Sequence, residues 1–156
     1  MMSQRMQEFL AIACAVLPLA GCGSSSPSRF YTLDSTAKPD GGSLANYAIL
    51  IEPISIPAAV DRPQFVIKTA PNRVELEEFN RWASPLDDGI ARAVAGNLTV
   101  LLGTSRVATA LGQAFNPNYF VSIDVQRFDS MPGEAVILEA LWVVRTPLRG
   151  DRKSVV

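Results

Sequence analysis

The chain has 156 residues, of which 48% are hydrophobic, and its 14 basic and 15 acidic side chains leave a formal net charge of −1. This length and composition predict one globular domain with a single core, and the lack of a basic block argues against binding to nucleic acid. The chain contains no histidine, which excludes the ordinary Ser-His-Asp triad and removes the commonest metal ligand.

The N-terminus has the pattern of an export signal. A polar stretch that includes Arg5 precedes an almost wholly apolar run at residues 9–19, which has the length of a signal-peptide core. The run is shorter than the about 20 residues that a transmembrane helix needs. We therefore expect a signal peptide over residues 1–21.

Cys22 closes the order Leu19-Ala20-Gly21-Cys22, which resembles the bacterial lipobox. The resemblance implies that acyl chains of the palmitate class are attached at Cys22 and that a dedicated peptidase cuts just before it. The second cysteine, Cys14, lies within the apolar run, so the two can build neither a disulfide framework nor a zinc site. An ordinary secretory signal that leaves a free thiol is the alternative, but a lone thiol would be unusual in an oxidising compartment.

The residues after this cysteine are small and polar. We interpret residues 22–28 as the lipidated cysteine with a flexible tether that lets the domain stand off the membrane surface, and residues 29–156 as the folded domain. In enterobacterial sorting, an aspartate after the cysteine favours retention in the inner membrane. Since Gly23 stands there, the resemblance favours the periplasmic face of the outer membrane.

Seven stretches have the continuous or alternating apolar pattern of strands. They are residues 29–33, 46–57, 64–69, 73–79, 106–108, 119–128 and 134–146. The second stretch is apolar on both faces through Ile51, which is typical of a strand covered on both sides, whereas Pro53 and Pro57 limit pairing at its far end. Turn residues at 70–72 and 131–133 predict two hairpins.

Residues 84–103 carry the clearest helix pattern. Ser84 is predicted as the N-cap and Pro85 as the first helical residue, and Gly103 is a suitable C-terminal stop. Asn97 interrupts an apolar stripe at helical spacing. The stripe consists of Leu86, Ile90, Val94, Leu98 and Leu101.

These patterns predict an α+β domain with a mostly antiparallel sheet and an amphipathic helix packed on one face. Gly89 and Gly96 lower the helix propensity, and we expect them to allow close packing against the sheet. The last strand has one wholly apolar face, made by Val136, Leu138, Ala140, Trp142 and Val144.

Few residues could carry catalysis. Glu75 and Glu77 share a predicted strand face, where paired carboxylates could do acid–base work, but a solvated face explains them. Ser84 has no histidine to activate it, and the chain has no glycine-rich phosphate loop. We therefore expect no catalytic residue, no metal site and no cofactor.

Trp82 has two interpretations. Beside Phe79 and just before the predicted helix, it could act as an apolar staple that packs on the first turn. It could instead anchor a partner, because tryptophan is enriched at binding hot spots.

Four motifs follow one another along the chain. They are Phe-Tyr-Thr-Leu at residues 30–33, Ile-Ser-Ile-Pro at 54–57, Trp-Ala-Ser-Pro-Leu at 82–86 and Asn-Leu at 97–98. In this order, after a lipobox, they resemble the PqiC/YmbA-type auxiliary lipoproteins of ABC transport systems that work with MCE-domain proteins. Members of that family continue with a further strand and a C-terminal helix, so we expect this domain to be C-terminally truncated and part of its apolar sheet face to be exposed.

The resemblance implies a non-enzymatic adaptor, lipid-anchored in the outer membrane, for an MCE-domain protein and its ABC permease system. Such systems move lipid or other hydrophobic compounds between membranes. Trp82, Pro85 and Leu86 are the candidate partner-binding residues, and a homo-oligomer is left open. The alternatives are a structural envelope or cell-wall-binding lipoprotein and a small periplasmic hydrolase.

Overall fold

The computed structural model describes residues 26–39, 41–42, 44–112 and 115–147. The predicted signal peptide and Cys22 lie outside the described residues. The described part contains one helix and seven strands. They are β1 (Arg29–Tyr31), β2 (Ile49–Ile51), β3 (Gln64–Ala70), β4 (Arg73–Trp82), α1 (Leu86–Leu102), β5 (Val107–Ala108), β6 (Tyr119–Met131) and β7 (Ala135–Arg145).

The strands form one sheet in the order β1-β4-β3-β6-β2-β5, and β7 pairs with β6. β7 runs antiparallel to β6 along nearly all of its length, from Phe120↔Arg145 to Met131↔Ala135. On its other edge, β6 pairs with β2 at its start and with β3 at Ser130 near its end. β6 is therefore the strand that joins the two halves of the sheet.

The α+β class is confirmed, but the expectation of a mostly antiparallel sheet was wrong. Among the described residues, four of the six strand pairings are parallel, and only β3–β4 and β6–β7 are antiparallel. The two antiparallel pairs are the hairpins that the turn residues predict. The parallel pairs join strands distant in sequence, such as Arg29 opposite Asn80, so no local turn signal marks them.

The core lies between α1 and the sheet. Its buried residues come from β2, α1, β6 and the segment between β2 and β3, and they are Ile49, Ile51, Ile54, Val60, Leu86, Ile90, Ala91 and Val125. β2 pairs in parallel with β5 and with β6, and all three of its residues are buried. The prediction of a strand covered on both sides is thereby confirmed.

The helix begins one residue later than predicted. Pro85 occupies the N-cap position with φ −47° and ψ 138°, and no side chain caps the helix. Ser84 is therefore not the N-cap, since its hydroxyl accepts a hydrogen bond from Arg92 instead. At the other end, Gly103 has φ 60° and its N–H bonds Val100, as predicted for a left-handed stop.

Asn97 interrupts the apolar stripe because it binds the chain that follows β1. Its Oδ1 accepts hydrogen bonds from the Ser35 hydroxyl at 2.9 Å, the Thr36 N–H at 3.0 Å and the Ala37 N–H at 2.9 Å. We call residues 33–37 the strap, since this segment crosses α1. The stripe also ends differently from the prediction, because Leu102 packs against the core and Leu101 is 43% exposed.

The two helix glycines face the strap and not the sheet, which corrects the expected packing. A Cβ at Gly96 would lie 2.8 Å from the Ser35 Cβ, and a Cβ at Gly89 would lie 3.6 Å from Leu33. Gly96 thus permits an approach that alanine would obstruct.

We expect Asn97→Ala to lower the free energy of unfolding by about 1–2 kcal/mol, because three donors of the strap lose one shared acceptor in a partly solvated site. Asn97→Asp is the matched control, since it keeps an acceptor oxygen at the same place. Urea unfolding and amide exchange at residues 35–37 measure the effect. Unchanged exchange in the alanine variant would contradict the role given to Asn97.

Candidate functional site

Trp82 is the last residue of β4, where it pairs with Tyr31 of β1. Its half-buried ring lies 4.3 Å from the Phe65 ring, between centroids, and 6.4 Å from the Phe128 ring in an edge-on contact. Tyr31 extends the same aromatic cluster, 4.9 Å from Phe65. The ring therefore packs inward against the core side of the sheet.

The structure brings all three candidate partner-binding residues to the junction of β4 and α1. Leu86 is only 3% exposed and belongs to the core, whereas Pro85 is exposed. Pro85 is thus the most exposed of the three. Partner binding at this junction stays a prediction.

The carboxylates that the sequence singled out have ordinary surface partners. Glu75 lies 2.6 Å from the Arg73 guanidinium, with both side chains at least half exposed. Glu77 accepts a hydrogen bond from the Asn80 amide at 3.1 Å. Such exposed contacts contribute little to stability and do not make an acid–base pair.

Two further carboxylates connect strands, of which the sequence marks Glu52 as a candidate for acid–base chemistry and does not mark Asp129. Glu52, just after β2, accepts hydrogen bonds from Ser122 on β6 and from Arg145 at the end of β7. These hydrogen bonds lower the pKa of Glu52 below its ordinary value of 4.5, and the bond from Ser122 has a larger effect than the bond from Arg145. Glu52 thereby connects the end of β2 to the start of β6 and to the end of β7.

Asp129 on β6 is the second of these carboxylates. It lies 2.7 Å from the Lys68 ammonium on β3 and 2.7 Å from the Arg127 guanidinium. Hydrogen bonds from Lys68 and then from Arg127 lower the pKa of Asp129 below 3.8. Both carboxylates are shifted away from the raised pKa that a general acid needs at neutral pH.

We expect the melting temperature to fall when the pH is lowered through and below the ordinary values of 4.5 for Glu52 and 3.8 for Asp129. Because both folded-state pKa values are lowered, their stabilisation is present above the unfolded values and is lost as the carboxylates become protonated. Thermal melts across this range measure it. A Glu52→Gln, Asp129→Asn double variant should show a shallower acid decline, and an identical decline would contradict the assignment.

The two hairpins end side by side. We call residues 70–73 and 131–134 the hairpin tips. Because β3 runs parallel to β6, with Ile67 opposite Ser130, both tips lie at the same end of the sheet. A cleft of about 660 Å³ lies between them, lined by Ile67, Lys68, Thr69, Ala70, Pro71, Met131, Pro132 and Glu134. The sequence predicts both turns but not their adjacency.

One face of β7 continues the core side of the sheet beyond the helix. Ala140 and Trp142 stand opposite Val125 and Ile123, which belong to the core or pack against it. Along this face Val136 is 64% exposed, Leu138 49%, Trp142 70% and Val144 48%. Only Ala140 of this apolar face packs against the core, and within the described residues β7 pairs on one edge alone.

The residues that the structure describes contain neither a cluster suited to a metal ion nor a membrane-spanning helix. No group of three or more Cys, Asp or Glu side chains is placed to hold a metal ion. The described helix is neither long nor apolar enough to cross a bilayer.

The fold occurs in solved proteins. The crystal structure of the protein XCC0632 from Xanthomonas campestris is similar with a TM-score of 0.57 and 17% sequence identity, over 80% of this chain and 81% of that one. A second crystal structure, of an uncharacterized protein, is similar with a TM-score of 0.53 and 18% identity, over 78% and 81% of the two chains. At these identities the likeness establishes the fold.

Sequence similarity identifies the family of this chain. Residues 31–156 match the family model described as the ABC-type transport auxiliary lipoprotein component, and the chain belongs to this family. It is 26% identical over 143 residues to the intermembrane transport lipoprotein PqiC of Escherichia coli K12, a match that covers 89% of this chain and 74% of PqiC. PqiC of Shigella flexneri matches to the same extent. The resemblance indicated by the ordered motifs is confirmed.

Proposed function

We propose that this chain is a non-catalytic periplasmic adaptor, anchored in the outer membrane through acyl chains on Cys22, that docks the MCE component of an ABC-type transport system. The family match over residues 31–156 is the observation that carries the proposal. The similarity to PqiC, named as an intermembrane transport lipoprotein, supports transport between membranes as the process. The lipobox and the following Gly23 support the anchor and its membrane.

The two carboxylates that connect strands do not suit acid–base catalysis. Glu52 and Asp129 are held by cationic partners and by hydrogen bonds, with lowered pKa values. A general acid or base working near neutral pH needs the opposite shift. Both carboxylates bind side chains of neighbouring strands, so their role is structural.

Docking is proposed at the junction of β4 and α1, where the exposed Pro85 stands beside the aromatic cluster. Trp82 stabilises this surface from the core side, because its ring packs on Phe65 and Phe128. Leu86, buried beneath the junction, holds the start of α1 on the core. Pro85 is then the residue of the three that touches the partner.

We expect Trp82→Ala to lower the free energy of unfolding by about 2–4 kcal/mol through lost aromatic packing. In the folded fraction, affinity for the proposed MCE-domain partner should stay unchanged. A binding titration beside a melting curve separates the two effects. Pro85→Ser, at an exposed position, is the control that should weaken binding at nearly native stability.

The outcomes of this titration are distinct. A thirtyfold loss of affinity in Trp82→Ala, which is about 2 kcal/mol, would make the tryptophan a direct anchor. No binding of the wild-type acylated chain to the MCE-domain protein would contradict the adaptor role and leave the anchor unaffected.

A further inference from the structure

The direction in which the chain enters the fold relates the membrane anchor to the hairpin tips. β1 is parallel to β4, with Arg29 opposite Asn80. The chain before Arg29 therefore leaves the sheet on the side where β4 begins, which is the tip at Arg73. The tip of the β6–β7 hairpin lies at the same end.

The length of the tether matches the distance to the tips. Between Asn80 and Arg73 a strand of seven steps rises about 23 Å. Between Arg29 and Cys22 the chain also has seven steps, which span at most about 25 Å when fully extended. As a flexible coil the same segment spans only about 15 Å. Even a fully extended tether exceeds the strand rise by only about 2 Å, so it keeps the tips at the surface of a bilayer that contains acyl chains on Cys22.

The surface at the tips suits a lipid boundary. Pro71, Ala70 and Pro132 are exposed there, and Met131 is half-exposed at the apolar lining of the cleft. The strands leaving the two tips add exposed valines, with Val74 57% and Val136 64% exposed.

The basic side chains Lys68 and Arg73 near the tips are paired within the protein, and the one carboxylate within the tips is that of the exposed Glu134. Lys68 is bound to Asp129 at 2.7 Å, and Arg73 to Glu75 at 2.6 Å. Apolar contact with the boundary of the acyl chains is thus favoured over attraction to charged headgroups.

We infer that the two hairpin tips contact the lipid surface of the bilayer that holds the Cys22 anchor, and that the cleft between them opens onto this surface. The inference rests on the proposed acylation at Cys22. It orients the domain with the junction of β4 and α1, at the opposite end of β4, directed away from the membrane and open to a partner.

The test places a fluorescent label at one thiol in the full acylated protein, reconstituted in vesicles that contain brominated phospholipid. Asn72→Cys and Pro132→Cys label the two tips. Asp61→Cys is the matched control, because Asp61 is also exposed and lies just before the start of β3, at the end of this strand opposite the tip. We expect quenching at both tips to exceed that at position 61 at least about twofold, since brominated chains quench only what reaches their depth.

Mass spectrometry of the mature N-terminus comes first. An unmodified thiol there defeats the anchor and removes the premise before any label is read. With the acyl group present, equal quenching at the three positions, or stronger quenching at position 61, overturns the inference and leaves the anchor standing. Tip labels that are protected by the MCE-domain protein and not quenched by lipid would assign the tips to a protein partner, which also overturns it.

Discussion

Replacing Cys22 with serine is expected to remove the protein from the outer-membrane fraction. Serine cannot form the thioether that carries the diacylglyceryl group, so the chain should appear in the soluble periplasm or remain unprocessed in the inner membrane. One acyl chain binds a membrane only marginally, with an association constant of about 10⁴ M⁻¹, and a second makes the attachment stable. Losing all of them is therefore a nearly complete loss of anchoring.

Cys14→Ser is the control for this experiment. Cys14 lies within the predicted signal peptide and is discarded with it, so its replacement should leave localisation unchanged. Fractionation followed by mass spectrometry of the mature N-terminus measures both variants. Wild-type protein that carries an unmodified thiol at Cys22 would contradict the anchor.

Leu86→Ala is expected to lower the free energy of unfolding by about 2–5 kcal/mol, because it removes buried methyl groups and leaves a cavity. Leu86 is 3% exposed and packs in the core at the start of α1. Since domains are stable by only about 5–15 kcal/mol, a loss of this size is a large share of the total.

Leu111→Ala makes the same chemical change at a site that is 66% exposed, and it should alter the free energy of unfolding by less than about 0.5 kcal/mol. Urea unfolding of the two variants gives the comparison. Equal effects would mean that the start of α1 is not seated on the core.

Trp82 and Leu86 of the Trp-Ala-Ser-Pro-Leu motif pack inward, so their main role is to stabilise the junction of β4 and α1. The surface proposed there for docking depends on that packing.

The exposed apolar face of β7 is a separate feature. Within the described residues, the outer edge of β7 pairs with no strand and the structure shows no element that covers this face.

The sequence by itself determined the local elements and the family. Alternation along β6, the turn residues at the two hairpins and the spacing of Leu86, Ile90 and Val94 each reflect burial within one element, so a short window of sequence contains the whole signal. The predicted export signal and the proposed acylation site at Cys22 rest on the same kind of local pattern, because the motif is contiguous and needs no folded domain to be recognised.

Only the tertiary structure decided how distant segments meet. The parallel pairing of Arg29 with Asn80 and the strap on Asn97 join residues about fifty or more positions apart, and no local pattern specifies such contacts because they depend on which segments the core brings together. Asn97 shows the difference plainly. In the sequence it is a polar break in an apolar stripe, and in the fold its carbonyl oxygen is the acceptor that holds the strap across the helix.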